Sequence, residues 1–135
     1  MSVGARFASV GVVSVPAPPS YENAIVWQVA HRFVLAVYRF SLGFPAHETY
    51  GLRAQLRRAA VSVPGNFAEG YRRRSVAEKA RFYNIAQASL DECRYYLRLA
   101  EDLGYGECES LRRNGDELSR LLHAYLSQML NRTSG

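Results

Sequence analysis

Apolar residues recur at intervals of three and four along most of the chain after Ser20, which predicts helices rather than strands. The first periodic segment covers residues 21–41, with Ser20 as its candidate N-cap. Its main apolar stripe consists of Val26, Val29, Phe33, Val37 and Phe40. Outside that stripe lies a second apolar set, which consists of Trp27, Val34, Leu35 and Tyr38. Because a helix that is apolar on two sides usually buries both, we expect the second set to form a subunit interface.

The second periodic segment, residues 49–74, carries Pro64 in its interior. Its apolar positions keep one helical register on both sides of the proline, namely Leu52, Leu56, Ala60, Val63 and Phe67. We therefore predict one helix that is kinked near Pro64, since proline removes the hydrogen bond to the carbonyl of Ala60 at a cost of about 3 kcal/mol. Close packing at Ser62 and Gly65, on the opposite face, is expected to offset this cost.

Two longer helices are predicted in the second half of the chain. The third begins after Ser75, which can form a capping box with Glu78, and it stops at Gly104. Its apolar stripe consists of Phe82, Ala86, Ser89, Leu90, Cys93, Leu97, Ala100 and Leu103. The fourth covers residues 107–130, with a stripe of Leu111, Leu118, Leu122, Tyr125 and Met129. Since the links are short, the predicted fold is all-α, an antiparallel up-down-up-down four-helix bundle.

The length and composition fit one domain. A chain of 135 residues can bury a sizeable core, and we assign residues 20–132 to the bundle. Residues 1–19 end in a proline-rich stretch and are expected to be a disordered lead-in rather than a signal peptide. No apolar run approaches the ~18 residues of a membrane span, and the two cysteines form no paired motif. We therefore expect a cytoplasmic protein without a membrane partner.

Basic residues are concentrated in the first half of the chain. Residues 1–74 contain nine arginines and three glutamates, whereas residues 75–135 contain eight basic and nine acidic residues. This asymmetry points to a polyanionic partner, and arginine is suited to bidentate phosphate contact. The predicted nucleic-acid-binding residues, for RNA or DNA, are Arg53, Arg57, Arg58, Arg72, Arg73 and Arg74. They would neutralise phosphates largely without base specificity.

A second interpretation of these arginines stays open. The triplet at residues 72–74 stands at the predicted C-terminus of a helix, where cations complement the helix dipole. Glu69 precedes Arg73 in the order that favours an ion pair four residues apart. Arg57 and Arg58 have Glu69, Glu92 or a neighbouring subunit as candidate partners. In this interpretation the chain is a purely structural or protein-interaction oligomer that binds no nucleic acid.

The region from residue 21 to residue 105 resembles a known bacterial protein family. The matching pieces include FP at residues 44–45, YGL at 50–52, QLRRA at 55–59, SVP at 62–64, AEG at 68–70 and LGY at 103–105. The family is that of the four-helix-bundle proteins encoded in intervening sequences of 23S ribosomal RNA genes. The sequence departs from the family pattern at Gly65, Phe67 and residues 87–88.

The resemblance carries its own expectations about assembly and partners. It implies a ring-like homopentamer of four-helix bundles. It also implies a distant relationship to the accessory protein of diversity-generating retroelements, a basic pentamer that binds nucleic acid and a reverse transcriptase. Self-association, RNA or DNA, and a reverse transcriptase are therefore the expected partners.

Motifs of catalysis and of metal binding are missing from the sequence. A di-iron bundle needs Glu-x-x-His motifs, but none of His31, His47 and His123 follows a glutamate at that spacing. No nucleophile-elbow, zinc-protease or phosphate-binding-loop motif occurs. We therefore expect a protein that is not an enzyme and that holds neither a metal nor a cofactor.

Overall fold

The computed structural model describes residues 20–134, with side chains as far as residue 132, so the predicted lead-in at residues 1–19 lies outside the described residues. Four helices follow one another: α1 (Ile25–Ser41), α2 (Leu52–Arg72), α3 (Val76–Asp102) and α4 (Glu109–Ser134). Short 3-10 helices at Tyr21–Asn23 and Ala46–Glu48 precede α1 and α2. The described part of the chain contains no strand.

Each helix packs against two others. α1 contacts α2 and α4, α3 also contacts α2 and α4, and the most extensive pair is α2 with α3. Because consecutive helices run in opposite directions, this arrangement is the predicted antiparallel four-helix bundle. One end of the bundle gathers the start of α1, the connection at residues 73–75 and the end of α4. The opposite end carries the other two connections.

The core follows the predicted stripes closely. All five predicted residues of α2 are buried, and so are most of those of α1, α3 and α4. The exception with consequences is Phe82, which is only half-buried, while the neighbouring Tyr83 is 2% exposed and fills the core. The prediction of Phe82 as a core residue was therefore wrong. Gly70 of α2 explains why Tyr83 and not Phe82 is buried, since the missing side chain of Gly70 leaves room for the ring of Tyr83.

α2 continues without interruption through Pro64, as predicted. The Asn66 amide donates hydrogen bonds of 2.8 Å to the carbonyl and to the hydroxyl oxygen of Ser62. The Ser62 hydroxyl also lies 2.8 Å from the Ser89 hydroxyl of α3, within hydrogen-bond distance. These bonds reinforce the helix beside the proline and join it to α3. The bend at Pro64 stays a prediction.

The close packing expected at Gly65 is found at a different glycine. A β-carbon built on Gly65 would meet no atom of the described residues within 4 Å, so the expectation for Gly65 was wrong within this chain. A β-carbon on Gly70 would instead lie 2.7 Å from Cε1 of Tyr83 and 3.1 Å from Cβ of Phe82. Helices α2 and α3 therefore pack closely at Gly70.

The prediction of Ser20 as the N-cap of α1 was wrong, since Ser20 caps the preceding 3-10 helix and α1 begins at Ile25. Local signals end α3 where they were expected. The Ser75 hydroxyl accepts a hydrogen bond of 3.1 Å from the backbone N–H of Glu78, which is one half of the predicted capping box. α3 stops before Gly104, which adopts φ +80°. The next residue, Tyr105, donates its backbone N–H to the carbonyl of Ala100 over 2.9 Å. This is the glycine-terminated helix end that the sequence predicts.

Glu48 joins the two connections at the end of the bundle away from residues 73–75. One carboxylate oxygen accepts a hydrogen bond of 2.8 Å from the backbone N–H of Leu52, at the start of α2. The other accepts a hydrogen bond of 2.7 Å from the hydroxyl of Tyr105, in the connection between α3 and α4. Both bonds favour the ionised carboxylate and hold the pKa of Glu48 below its usual range, the Leu52 bond contributing most.

Candidate nucleic-acid interface

Two of the six predicted phosphate-binding arginines cap the end of α1. Arg53 donates hydrogen bonds to the carbonyl of Ser41 over 2.9 Å and to the carbonyl of Phe44 over 2.7 Å. Arg57 donates to the Ser41 hydroxyl over 2.8 Å and to the carbonyl of Tyr38 over 3.1 Å, and its guanidinium lies over the Tyr38 ring. Because these donors satisfy carbonyls at a helix C-terminus, Arg53 and Arg57 stabilise the fold, and we leave them outside the interface.

Arg73 and Arg58 differ in how they are partnered. Arg73 donates a hydrogen bond of 2.6 Å to Glu69, which is the ion pair that the spacing of four residues predicted. Arg58 is exposed beside a groove between α2 and α3, and it makes neither a hydrogen bond nor an ion pair within the described residues. The pairing of Arg58 with Glu92 is therefore not observed. The charge of Arg73 is therefore compensated by Glu69, whereas the charge of Arg58 has no compensating partner among the described residues.

Arg72 and Arg74, the other two predicted residues, are exposed at the end of α2. Neither has a carboxylate or a carbonyl partner in the part of the chain that the structure describes; Arg72 lies over the ring of Tyr21, 5.4 Å from its centroid. The carbonyls at the end of α2 are bound instead by Lys79, whose ammonium group donates to Gly70 over 3.2 Å and to Tyr71 over 2.8 Å. Lys79 therefore supplies hydrogen bonds to the carbonyls at this terminus, while Arg72, in the last turn of α2, can complement the helix dipole through its charge alone.

Arg132 places a further cation at the same end of the bundle. It lines a cleft of about 220 Å³ between α3 and α4, together with Lys79 and the rings of Tyr83 and Tyr125. No ion pair of Arg132 is found within residues 20–132. Burial lowers the pKa of Lys79. We call Arg72, Arg74, Lys79 and Arg132 the basic end.

The basic end contrasts with the rest of α3 and α4. Two carboxylates near the basic end, Glu69 and Glu78, are paired with Arg73 and Arg81. A third, Glu22, is exposed in the 3-10 helix before α1 and forms no ion pair with the four cations among the described residues. Towards the opposite end of the bundle, basic and acidic side chains neutralise one another in ion pairs. These pairs are Arg94 with Asp91 and Asp116, Arg98 with Asp102, Arg112 with Glu101, and Arg113 with Glu109. Four cations without an ion pair among the described residues are therefore brought together at one end of the molecule, and such a cluster of positive charge favours a polyanion.

The sequence did not identify Lys79 and Arg132 as members of this cluster. They belong to α3 and α4, more than fifty residues apart, and each stands among ordinary amphipathic positions. The one usable signal was topological, since an antiparallel bundle brings the start of α3 and the end of α4 to the same end as residues 72–74.

The four residues predicted to form a subunit interface divide into two pairs. Trp27 and Val34 are half-buried against the core, and the Trp27 ring stacks on His31 at 5.2 Å between centroids. Leu35 and Tyr38 are 40% and 39% exposed. Leu42, on the same face of α1, is 72% exposed, and Val61 of α2 is 46% exposed. The exposed apolar face thus consists of Leu35, Tyr38, Leu42 and Val61.

Both cysteines are buried, and the described residues form no cluster of metal ligands. Cys93 is fully buried, and burial raises the pKa of its thiol to about 12; burial also raises the pKa of Cys108. In residues 20–134 no three side chains among His, Cys, Asp and Glu come together as metal ligands. No helix in this range is long and apolar enough to cross a membrane.

Comparisons with known proteins place this architecture in a family. No curated protein matches the chain. A solved structure from Bacteroides thetaiotaomicron, described as a protein with unknown function from the S23 ribosomal protein family, has the same fold with a TM-score of 0.68 and 22% sequence identity. The match covers 76% of this chain and 98% of that chain. The family described as 23S rRNA-intervening sequence protein matches residues 22–124. The chain therefore belongs to the 23S rRNA-intervening sequence protein family.

Proposed function

We propose that the chain is a non-enzymatic helical-bundle protein whose basic end binds the phosphate backbone of nucleic acid, RNA or DNA. The observation that carries the proposal is the state of Arg72 and Arg74, which are exposed and have neither a carboxylate nor a carbonyl partner among the described residues. Lys79 already binds the carbonyls at the end of α2. The two guanidinium groups are therefore available to an external anion, for which phosphate oxygens are a good geometric match.

The salt dependence of binding tests this proposal. We expect the double substitution Arg72→Gln and Arg74→Gln to lower the slope of log affinity against log salt by about 2, because each lost phosphate contact removes roughly one released counterion. The measurement is fluorescence anisotropy of a labelled nucleic acid between 50 and 200 mM salt. A matched control is Arg39→Gln with Arg120→Gln, which removes the same charge from exposed positions outside the basic end.

Two results would contradict the proposal. One is an equal change of slope in both double variants, since binding would then follow the net charge alone. The other is the absence of binding at the lowest salt concentration. The second result would favour the alternative function, an oligomer that acts only through protein contacts, for example as an accessory subunit of a reverse transcriptase.

We also infer that the chain forms a homo-oligomer, with the pentamer implied by the family resemblance as the expected state. The exposed apolar side chains of Leu35, Tyr38 and Leu42, spaced three and four residues apart along α1 and its C-cap, support this inference, because apolar patches on a surface usually mark an interaction site. Cytoplasmic location remains part of the proposal.

Light scattering at micromolar concentration tests the assembly. We expect Leu35→Glu with Leu42→Glu to reduce the measured mass of the particle to that of the monomer, because each buried carboxylate would be costly. Tyr95→Glu with Leu103→Glu, at exposed apolar positions of α3, is the matched control and should leave the mass unchanged. Dissociation by the α3 pair alone would place the interface elsewhere, and a monomeric unsubstituted chain would exclude it.

A further inference from the structure

We propose that the basic end selects double-stranded over single-stranded nucleic acid and contacts it without stacking on bases. This inference rests on the proposed function and names its ligand class. The geometry that points to it is the position of the aromatic rings at this end of the bundle. The rings of Tyr21, Tyr71 and Phe82 each have at least one cation of this chain lying over them.

The contacts are specific. The Arg72 guanidinium carbon lies 5.4 Å from the centroid of Tyr21, and the Lys79 ammonium nitrogen lies 5.7 Å from the centroid of Tyr71. Phe82 has two guanidinium groups over its ring, that of Arg73 at 4.9 Å and that of Arg81 at 5.1 Å. These distances are within the range of cation–π attraction.

Two of these rings also contact other rings of the protein. The Tyr21 centroid is 5.6 Å from that of Trp27, and the Tyr71 centroid is 6.0 Å from that of Phe67. Proteins that bind single strands stack successive bases on aromatic rings whose faces are open. At the basic end the rings of Tyr21, Tyr71 and Phe82 have cations over them, so they position positive charge instead of receiving bases. Of the two rings in the cleft beside Arg132, Tyr83 is 2% exposed and Tyr125 packs edge-to-face against Tyr83 and Phe67.

The most exposed tyrosines of the described chain lie away from this end. Tyr50 is 94% exposed in the connection between α1 and α2, at the opposite end of the bundle. Tyr95 is 60% exposed in the half of α3 nearer to that opposite end. A strand held by the phosphate contacts at the basic end would therefore meet no open aromatic face among residues 20–132 there.

Charge density then decides which form of nucleic acid binds more tightly. A duplex presents one phosphate charge per about 1.7 Å of its axis, whereas each strand alone presents one per about 3.4 Å. Guanidinium groups that rest on rings lose little freedom when they contact phosphate, so they suit a rigid array of phosphates. Without stacking to favour a single strand, the denser charge of the duplex gives the tighter complex.

The test compares four probes of 20 nucleotides per strand at 50 mM salt: an RNA duplex, a DNA duplex, and one unstructured single strand of each. We expect each duplex to bind at least about tenfold more tightly than its single strand, with less than about a twofold change when the base composition is altered. The ratio of the two duplex affinities shows which backbone is preferred, and either order is consistent with duplex selection.

Substitution of the supporting ring adds an independent measurement. Tyr21→Leu removes the ring under Arg72, a member of the basic end, and we expect it to weaken duplex binding about threefold while leaving single-strand binding almost unchanged. Tyr95→Leu, at the exposed tyrosine of α3, is the matched control and should change neither. Circular dichroism verifies that both variants fold.

Failure of this inference can be told apart from failure of the proposed function. Single strands that bind as tightly as duplexes or more tightly, or a single-strand affinity that falls in Tyr21→Leu, would overturn duplex selection and leave nucleic-acid binding intact. Absence of binding to all four probes would overturn both.

Discussion

Replacing Phe67 with alanine is expected to lower the free energy of unfolding by about 3–5 kcal/mol. The Phe67 side chain is fully buried in the half of the core nearest the basic end. Its ring centroid lies 5.2 Å from that of Tyr83, in a stacked arrangement, and 5.3 Å from that of Tyr125. Removing the ring would leave a cavity between α2, α3 and α4 that the remaining aromatic rings cannot fill without leaving their rotamers.

Chemical denaturation followed by circular dichroism measures this loss. Phe67→Leu is the control that keeps most of the volume, and we expect it to cost less than about 1.5 kcal/mol. The comparison is informative because an aliphatic or small residue is usual at this position in the sequence pattern that the chain resembles. A loss below about 1 kcal/mol for Phe67→Ala would show that the ring does not support the core as the structure indicates.

The second large effect concerns two glycines of the same helix, whose substitution by alanine is expected to have opposite signs. Gly70→Ala should destabilise the protein by about 1–3 kcal/mol, because the new methyl group would lie 2.7 Å from a ring carbon of Tyr83. Gly65→Ala should stabilise it by about 0.5–1 kcal/mol, since alanine restricts the unfolded chain and meets no atom within 4 Å.

The pair forms its own control, because both substitutions add one methyl group to α2. Thermal unfolding of the two variants and of the unsubstituted chain, at equal protein concentration, gives the two shifts. Equal shifts, or a destabilising Gly65→Ala, would contradict the assignment of close helix contact to Gly70 alone. Neither substitution removes a charge from the basic end, so the salt slope of nucleic-acid binding is expected to stay constant.

The apolar register of α2 is the best example of what local sequence can predict. Five positions from Leu52 to Phe67 keep one face in spite of Pro64, and all five are buried. Proline costs one hydrogen bond and some steric strain, whereas burial of the stripe contributes roughly 1.5–3 kcal/mol for each large side chain. Burial of the apolar stripe therefore outweighs the cost of the proline, so α2 stays helical through Pro64. The periodicity of the sequence shows this stripe directly.

The arginines show where that reasoning stops. Arg53 and Arg57 look like Arg58 in the sequence, but only the first two lie opposite the end of α1 and donate to its carbonyls. Whether a long, flexible side chain meets a carbonyl, a ring or solvent depends on the neighbouring helix, and no periodicity encodes that helix's position. The same holds for Lys79, which binds the end of α2 across the connection at residues 73–75.

The sequence by itself determined the four helices, both ends of α3, most of the buried stripes and the family, because periodic burial and local capping act over a few residues. Only the tertiary structure decided that Tyr83 and not Phe82 fills the core beside Gly70. It also decided which cations are neutralised and which four form the basic end. Contacts between helices depend on how their surfaces meet, so charge compensation and ring contacts emerge only when the bundle is assembled.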